Sequence, residues 1–317
     1  MNNERTKRTA TGYIGLFFSG FLVGAANVIP GVSGGTMAFV LGIYEELLES
    51  IRKFTLVDTW KMLLGFKLKQ AYRSLPWPFL LWLLLGIAAA SLLLAKPITW
   101  MLTHRLSFIL AFFFGLVAAS VITVLCRLAK FRLALIPAIV AGTAIGWWVA
   151  GLTEGMQSPP DTWWYLMLCG AVAVCAMILP GISGSFILML MGRYYDIMGA
   201  IGGLTTFKNI GANLWTLLCF IVGIVVGLAS FVQLLSWTFK RFRDLTITVL
   251  AGFMVGSLRK IWPWKVDDVM QNANTLPQLD RNFYLALAWL VAGLVLVLVI
   301  EFAARSFEKK PRGSSSK

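Results

Sequence analysis

Charge is what this sequence has least of: Asp, Glu, Lys and Arg make up 13% of its 317 residues, against 58% hydrophobic. Mean hydropathy is +0.78, and the apolar residues fall in runs of about 20, the length a helix needs to cross a bilayer. No stretch is long or polar enough for a water-soluble domain, so the chain reads as an all-α polytopic membrane protein. Acidic residues are scarcer still, 14 against 28 basic, for a formal charge of +14. The basic excess sits mostly in short segments between apolar runs, where it sets membrane orientation. Nucleic acid is therefore excluded as a partner.

Groups that carry reaction chemistry are also missing. There is one histidine, His104, and the four cysteines (Cys126, Cys169, Cys175 and Cys219) lie in apolar segments without ligand spacing. The cysteines read as small core residues, and no metal or other cofactor is expected. No paired carboxylates and no nucleophile beside a base appear, and the glycine-rich stretches lack the Lys and the preceding strand of a phosphate-binding loop. The chain does not read as an enzyme. His104 falls in a short outer loop beside Arg105, either simply solvated or pH-responsive.

What is present is a broken apolar run, written twice. NVIPGVSGGT at 27–36 and ILPGISGSF at 178–186 each stop at Pro-Gly, pass through small residues and resume as a second apolar run. Pro lacks an N–H and clashes with the preceding helical turn, and Gly costs backbone entropy. A helix broken inside hydrocarbon survives only where protein, water or ligand satisfies the freed backbone groups. Two such breaks in corresponding halves point to a transporter binding site.

The first hairpin is expected at 12–29 and 36–51, the second across 163–201. Crossings are expected at 77–96, 106–126, 133–151, 212–239, 245–262 and 283–304, with tryptophans such as Trp77, Trp100, Trp163 and Trp262 near the ends as an interfacial belt. Between the first hairpin and the first crossing, 52–76 interleaves basic and apolar residues, as an amphipathic segment on an anionic leaflet does, or a plain basic loop. Residues 1–29 resemble a signal peptide superficially but lead into the doubled motif and are expected to be retained. Cytoplasmic termini place 20 of the 28 basic residues inside, and leave 152–162, without Lys or Arg, outside.

A shift of 150 aligns Ala26, Pro30, Gly31, Ser33, Gly34, Gly42, Tyr44 and Ile51 with Ala176, Pro180, Gly181, Ser183, Gly184, Gly192, Tyr194 and Ile201. A shift of 137 weakly continues the series, pairing Gly86 with Gly223 and Gly115 with Gly252. Each half holds one hairpin and three crossings, so the second half enters from the opposite face. The expected organisation is two inverted repeats, 1–151 and 152–304, each a re-entrant broken-helix hairpin plus three transmembrane helices, followed by a cytoplasmic tail, 305–317. Re-entrant legs bring both Pro-Gly tips toward the bilayer middle; fully crossing legs would leave them at opposite surfaces.

After each break a helix restarts with unpartnered N–H groups and partial positive charge. Gly34, Gly35 and Gly184 leave room beside the backbone, and Ser33, Thr36, Ser183 and Ser185 offer hydroxyls, so each tip reads as a phosphate or carboxylate cradle. Glycines such as Gly42, Gly86, Gly115 and Gly142 read instead as helix-packing positions. Asn27 either caps a freed amide or binds ligand. Arg193 faces a phosphate or pairs with Asp196 or a Glu. Glu45, Glu46 and Asp196 carry coupling protons, pair with cations, or mark hydrated leg ends.

The doubled PG[VI]SG[GS] motif, with GIYEELLESI after the first copy and GRYYDIMGAI after the second, resembles the bacterial polyprenyl-phosphate transporter family, and the likeness runs from about residue 13 to 304. The resemblance implies transport of undecaprenyl phosphate from the outer to the cytoplasmic leaflet of the inner membrane, so that this carrier lipid is reused in peptidoglycan and other envelope glycan synthesis. It puts the family signature on Pro30, Gly31, Ser33, Gly34, Gly35, Pro180, Gly181, Ser183, Gly184 and Ser185, the last replacing a Gly. Such a flippase meets its substrate among membrane lipids, needs no cofactor, and leaves H+ or Na+ open as coupling ion and the oligomeric state unassigned. The alternative from the residues alone is an ion-coupled carrier of a small water-soluble anion.

Overall fold

A computed structural model describes residues 8–28, 33–55, 75–126, 128, 132–152, 155–207, 209–265 and 274–308. All regular elements among them are helical: α1 (Ala10–Val28), α2 (Gly34–Val40), α3 (Tyr44–Thr55), α4 (Trp77–His104), α5 (Leu106–Cys126), α6 (Ile136–Gly151), α7 (Trp163–Ile178), α8 (Gly184–Leu190), α9 (Tyr194–Thr205), α10 (Ile210–Arg241), α11 (Arg243–Ser257) and α12 (Arg281–Glu308). Five stretches are long and apolar enough to cross a membrane: Trp77–His104, Leu106–Cys126, Leu133–Gly151, Ile210–Arg241 and Arg281–Phe302. The protein is thus all-α and polytopic. Most of the segment expected to be amphipathic, and the end of the tail, lie outside the described residues.

Several expectations need correction. The crossing at 245–262 is helical only over the 15-residue α11, about 22 Å long at 1.5 Å per residue, and continues as turns through Ile261. It is the most enclosed of the later helices, with Leu250, Ala251 and Met254 fully buried. The hairpins' second legs are not continuous either. Each stops after a seven-residue helix, α2 or α8, and restarts as α3 or α9. The stops share one geometry: Gly42 has φ +72° and Gly192 φ +71°, a left-handed cap that favours glycine. Ile43 N–H then reaches Ala38 O and Gly42 N–H reaches Phe39 O at 3.1 Å, as Arg193 N–H reaches Leu188 O at 3.1 Å and Gly192 N–H reaches Met189 O at 3.0 Å. This is the paired bonding of a Schellman cap, so Gly42 ends a helix rather than packing one.

The crossing expected to end at Lys96 continues through Pro97 to His104. Ile98 just beyond the proline is buried in the core, and that packing outweighs the hydrogen bond Pro97 removes. The His104 ring stacks on Trp100 at 5.0 Å.

Helix packing follows a matched scheme. α1 packs on α4 as α7 packs on α10, while α5 packs on α12 as α11 packs on α6. Glycines make each approach possible. A Cβ on Gly20 would strike Leu83 O and one on Gly86 would strike Phe17 O, just as Gly170 meets Phe220 O and Gly223 meets Met167 O. Every residue in the second set stands 150 or 137 places beyond its counterpart in the first. Likewise Gly115 meets Leu290 O and Gly293 meets Phe112 O, as Gly252 meets Ile139 O and Gly142 meets Val249 O. Backbone carbonyls cannot swing aside as side chains do, so a methyl at these positions would push the helices apart.

The core is one large cluster drawn from α1 to α5 and α10 to α12, with a smaller one of Tyr165, Cys169, Ala173, Leu188 and Ile197 around α7, α8 and α9. The two tips differ in depth. In α2 six of the seven residues are buried, whereas in α8 only Leu188 is.

Candidate functional site

The second break shows how the backbone is satisfied. In an unbroken helix the carbonyls of Met177 and Ile178 would accept from the N–H groups of Gly181 and Ile182, four residues on. Pro180 ends that pattern, and Gly181 turns away with φ +91°. The first tip supplies replacements. Ser33 Oγ donates to Met177 O at 3.4 Å, Tyr44 OH donates to Ile178 O at 3.0 Å, and Gly181 N–H donates to Thr36 Oγ1 at 2.7 Å. The groups freed by the second Pro-Gly break are therefore bonded by residues that follow the first.

At the first break Pro30 and Gly31 lie outside the described residues, but the restart of the helix is visible. Gly34 N–H donates to Asn27 Oδ1 at 2.9 Å and Gly35 N–H donates to Ser33 Oγ at 3.2 Å. Asn27 and Ser33 thus act as caps for two of the orphan amides of α2. The space beside these glycines is filled by protein: a Cβ on Gly34 would meet the Asn27 side chain, and one on Gly35 would lie 2.8 Å from Ile178 O. Ser33 and Thr36 are buried.

The second tip is arranged differently. Ser183 precedes α8 but makes no capping bond through its side chain; its hydroxyl instead lies 2.9 Å from that of Ser185, at an exposed position. Pro180 is fully buried, and Gly184 backs onto Ala173 O. Beside this tip is a small open pocket lined by Gly146, Val149, Ala150, Gly181, Ile182, Ser183, Phe186 and Lys260. Lys260 is its only charged lining residue, with Nζ 4.1 Å from the centroid of the Phe186 ring.

The remaining charged candidates are not brought to the tips. Arg193 stands at the far end of α8, about 10 Å along the helix from Ser183, where its guanidinium meets Asp196 at 2.7 Å and Asp161 at 3.0 Å and donates to Pro160 O. Glu45 meets Arg243 at 2.8 Å, Glu46 pairs with Arg8, and Glu49 lies 3.0 Å from Arg52 and 3.7 Å from Lys240. Burial raises the Glu46 carboxyl above the usual range, and Arg8 opposes this. These pairs fasten α3 to the neighbouring ends of α1, α10 and α11.

Two contributors escaped the sequence reading. Tyr44 was visible only as a tyrosine repeated at Tyr194, and nothing in spacing gave its bond to Ile178. Lys260 carried a faint signal: with Arg259 it belongs to the eight basic residues left outside by the orientation that puts most of them in the cytoplasm.

Fold and site together define a multi-pass membrane protein in which two helix breaks from corresponding segments are bonded to each other within the bundle. The profile of the VCA0040-like family, described as undecaprenyl phosphate translocase-like, matches residues 23–278, and the chain belongs to that family. It is 40% identical over 310 residues to the polyprenyl-phosphate transporter of Vibrio cholerae, covering 91% of this chain and 96% of that protein. To the polyprenyl-phosphate transporter of Staphylococcus aureus it is 26% identical over 256 residues, covering 77% of this chain and 84% of that one. No solved structure matches the chain.

Proposed function

We propose that this chain is a translocase for a polyprenyl phosphate, with undecaprenyl phosphate as the substrate its relatives' names suggest. It returns the lipid from the outer to the cytoplasmic leaflet of a bacterial inner membrane, with both termini in the cytoplasm, for reuse in envelope glycan synthesis. The observation that carries this reading is the bond between the two breaks, Gly181 N–H to Thr36 Oγ1 at 2.7 Å, with one tip enclosed and the other bordering an open pocket. Inverted repeats exchanging these roles would expose one phosphate site alternately to each face. The matched glycine contacts support inverted repeats, and the glycine-capped break that interrupts each second leg after seven residues supports re-entrant hairpins.

Phosphate is received on the second tip, where Gly181 and Ser183 line the pocket and Gly184 and Ser185 follow at the start of α8. When the opening reverses it passes to the first tip, with Ser33, Gly34, Gly35 and Thr36 beside Pro30 and Gly31. A lipid rather than a water-soluble anion fits because α6, which supplies one wall, buries only Gly142 and Gly146 and turns the rest of its apolar surface outward. Arg193 holds the far end of α8 in place. Movement is coupled to H+ or Na+, with Glu46, whose carboxyl is pushed toward protonation, as the proton-carrying candidate.

Purified full-length protein in liposomes tests this through leaflet-resolved accessibility of undecaprenyl phosphate. Protein-dependent movement is expected. No movement under any imposed ion gradient would overturn the reading in favour of a small-anion carrier.

A further inference from the structure

The candidate charges on α3 and around Arg193 all meet an opposite charge. Lys260 does not: among the described residues no carboxylate lies within ion-pair distance of its Nζ, although the side chain is half-buried and faces a tip. A desolvated ammonium without a counterion is costly unless a ligand supplies the charge.

The turn that carries Lys260 is held firmly. Its N–H bonds to Ser257 O at 2.9 Å, its carbonyl accepts from Lys265 Nζ at 2.8 Å, and Asn274 Nδ2 donates to Arg259 O at 2.9 Å. The neighbouring Arg259 lies over the Trp147 ring at 4.9 Å and donates to Trp147 O at 3.2 Å, fixing the turn against α6. Lys260 is thereby set at the pocket between the Ser183 tip and α6. Arg259 and Lys265 add positive potential behind it.

We propose that Lys260 is the phosphate-receiving cation of the pocket, binding the phosphomonoester head of the lipid together with the Ser183 hydroxyl while the tail lies along the apolar face of α6. This rests on the translocase reading and adds to it the residue that selects an anionic head. The Phe186 ring holds the ammonium by a cation–π contact, which phosphate then replaces with a charge-assisted bond.

The test compares wild type, Lys260→Gln and Lys260→Arg as full-length protein in two assays. One is undecaprenyl phosphate movement in liposomes; the other is binding in detergent of undecaprenyl phosphate, undecaprenol and inorganic phosphate. Lys260→Gln should lower movement and phosphate-lipid binding by about ten-fold or more, the worth of one hydrogen bond to a charged group, with an unchanged thermal unfolding midpoint. Lys260→Arg should restore much of the loss, and undecaprenol should not compete. Wild-type movement and binding in Lys260→Gln, or competition by undecaprenol as strong as by its phosphate, would overturn the role of Lys260 while leaving the translocase reading in place. If wild type moves no lipid but binds inorganic phosphate, and Lys260→Gln abolishes that binding, the cation site stands and the lipid substrate falls. Binding of none of the probes by wild type would remove both.

Discussion

The hydroxyl of Thr36 accepts a hydrogen bond from the backbone N–H of Gly181, 145 residues further along the chain. With Ser33 and Tyr44 it completes a set in which the first broken segment satisfies the second. Such an arrangement makes the two tips a single unit: neither can shift against the other without releasing backbone groups of the second.

Replacing Thr36 with Val keeps its shape and removes the acceptor. The Gly181 N–H is then left without a protein partner in a part-buried setting, at a cost of about 1 kcal/mol, the low end for an unmet buried donor. Thermal unfolding of purified protein should show the loss. Thr36→Ser keeps the oxygen and should lose only the methyl contribution, about 0.8 kcal/mol. Equal stability of the Val variant and wild type would mean that the bond between the breaks contributes nothing.

The doubled motif, the helix breaks and the apolar runs were legible because Pro and Gly act locally and hydrocarbon length is a one-dimensional constraint. The pairing of the tips was not. It depends on Ser33, Tyr44 and Thr36 reaching carbonyls and amides about 140 residues away, and backbone partners leave no mark on residue type. Gly42 and Gly192 were seen as repeated glycines, but a capping glycine and a packing glycine look alike in sequence. Only the positive φ separates them. The pairing of Arg193 with Asp196, three residues on, is legible in spacing; the contacts of Arg193 with Asp161, of Glu45 with Arg243 and of Glu46 with Arg8 join loops and helix ends that spacing does not relate. Lys260 was passed over because one basic residue at a helix end is ordinary until its surroundings are known.

The matched glycine contacts can be tested within single helices. Gly15 and Gly20 share α1, yet a Cβ on Gly15 meets nothing within 4 Å while one on Gly20 strikes the Leu83 carbonyl. Gly15→Ala should leave stability unchanged or raise it by about 0.5–1 kcal/mol, the helical advantage of Ala. Gly20→Ala should cost about 1–3 kcal/mol through overpacking, and Gly170→Ala, at the corresponding crossing of α7 and α10, should cost a similar amount. Denaturation midpoints of the three variants check this. A harmless Gly170→Ala beside a damaging Gly20→Ala would count against equivalence of the two crossings.

Ser33 and Ser183 occupy the same place in the two motifs but different surroundings. Ser33 is buried and caps α2 while bonding to Met177 O, so Ser33→Ala should lose about 1 kcal/mol of stability. Ser183 makes no cap bond and faces its exposed neighbour Ser185. Ser183→Ala and the double variant with Ser185→Ala should therefore alter stability by less than about 0.5 kcal/mol, while lowering lipid movement in liposomes. Measuring unfolding and movement on the same preparations separates the two effects. Reduced movement in Ser33→Ala alone, with Ser183→Ala at the wild-type rate, would place the accessible phosphate site at the other tip.

Arg193 gives the sharpest contrast between pairing and substrate binding. Its side chain is only 10% exposed and bridges Asp161, 95% exposed, and Asp196, 49% exposed. Because both carboxylates remain hydrated when the arginine is removed, the loss comes mainly from the buried guanidinium's own bonds, including that to Pro160 O. Solvent screening trims the ionic part, and Arg193→Gln should cost about 1–2 kcal/mol. Lys supplies a point charge without the planar fork that reaches three acceptors, so Arg193→Lys should recover little. Movement per folded molecule should persist in both variants, since α8 separates Arg193 from the Ser183 tip. Unfolding midpoints and liposome assays run together decide the matter: stability intact with movement abolished would return Arg193 to the phosphate, because a residue serving only to tie α8 to the 155–162 loop cannot lose transport without first loosening that tie.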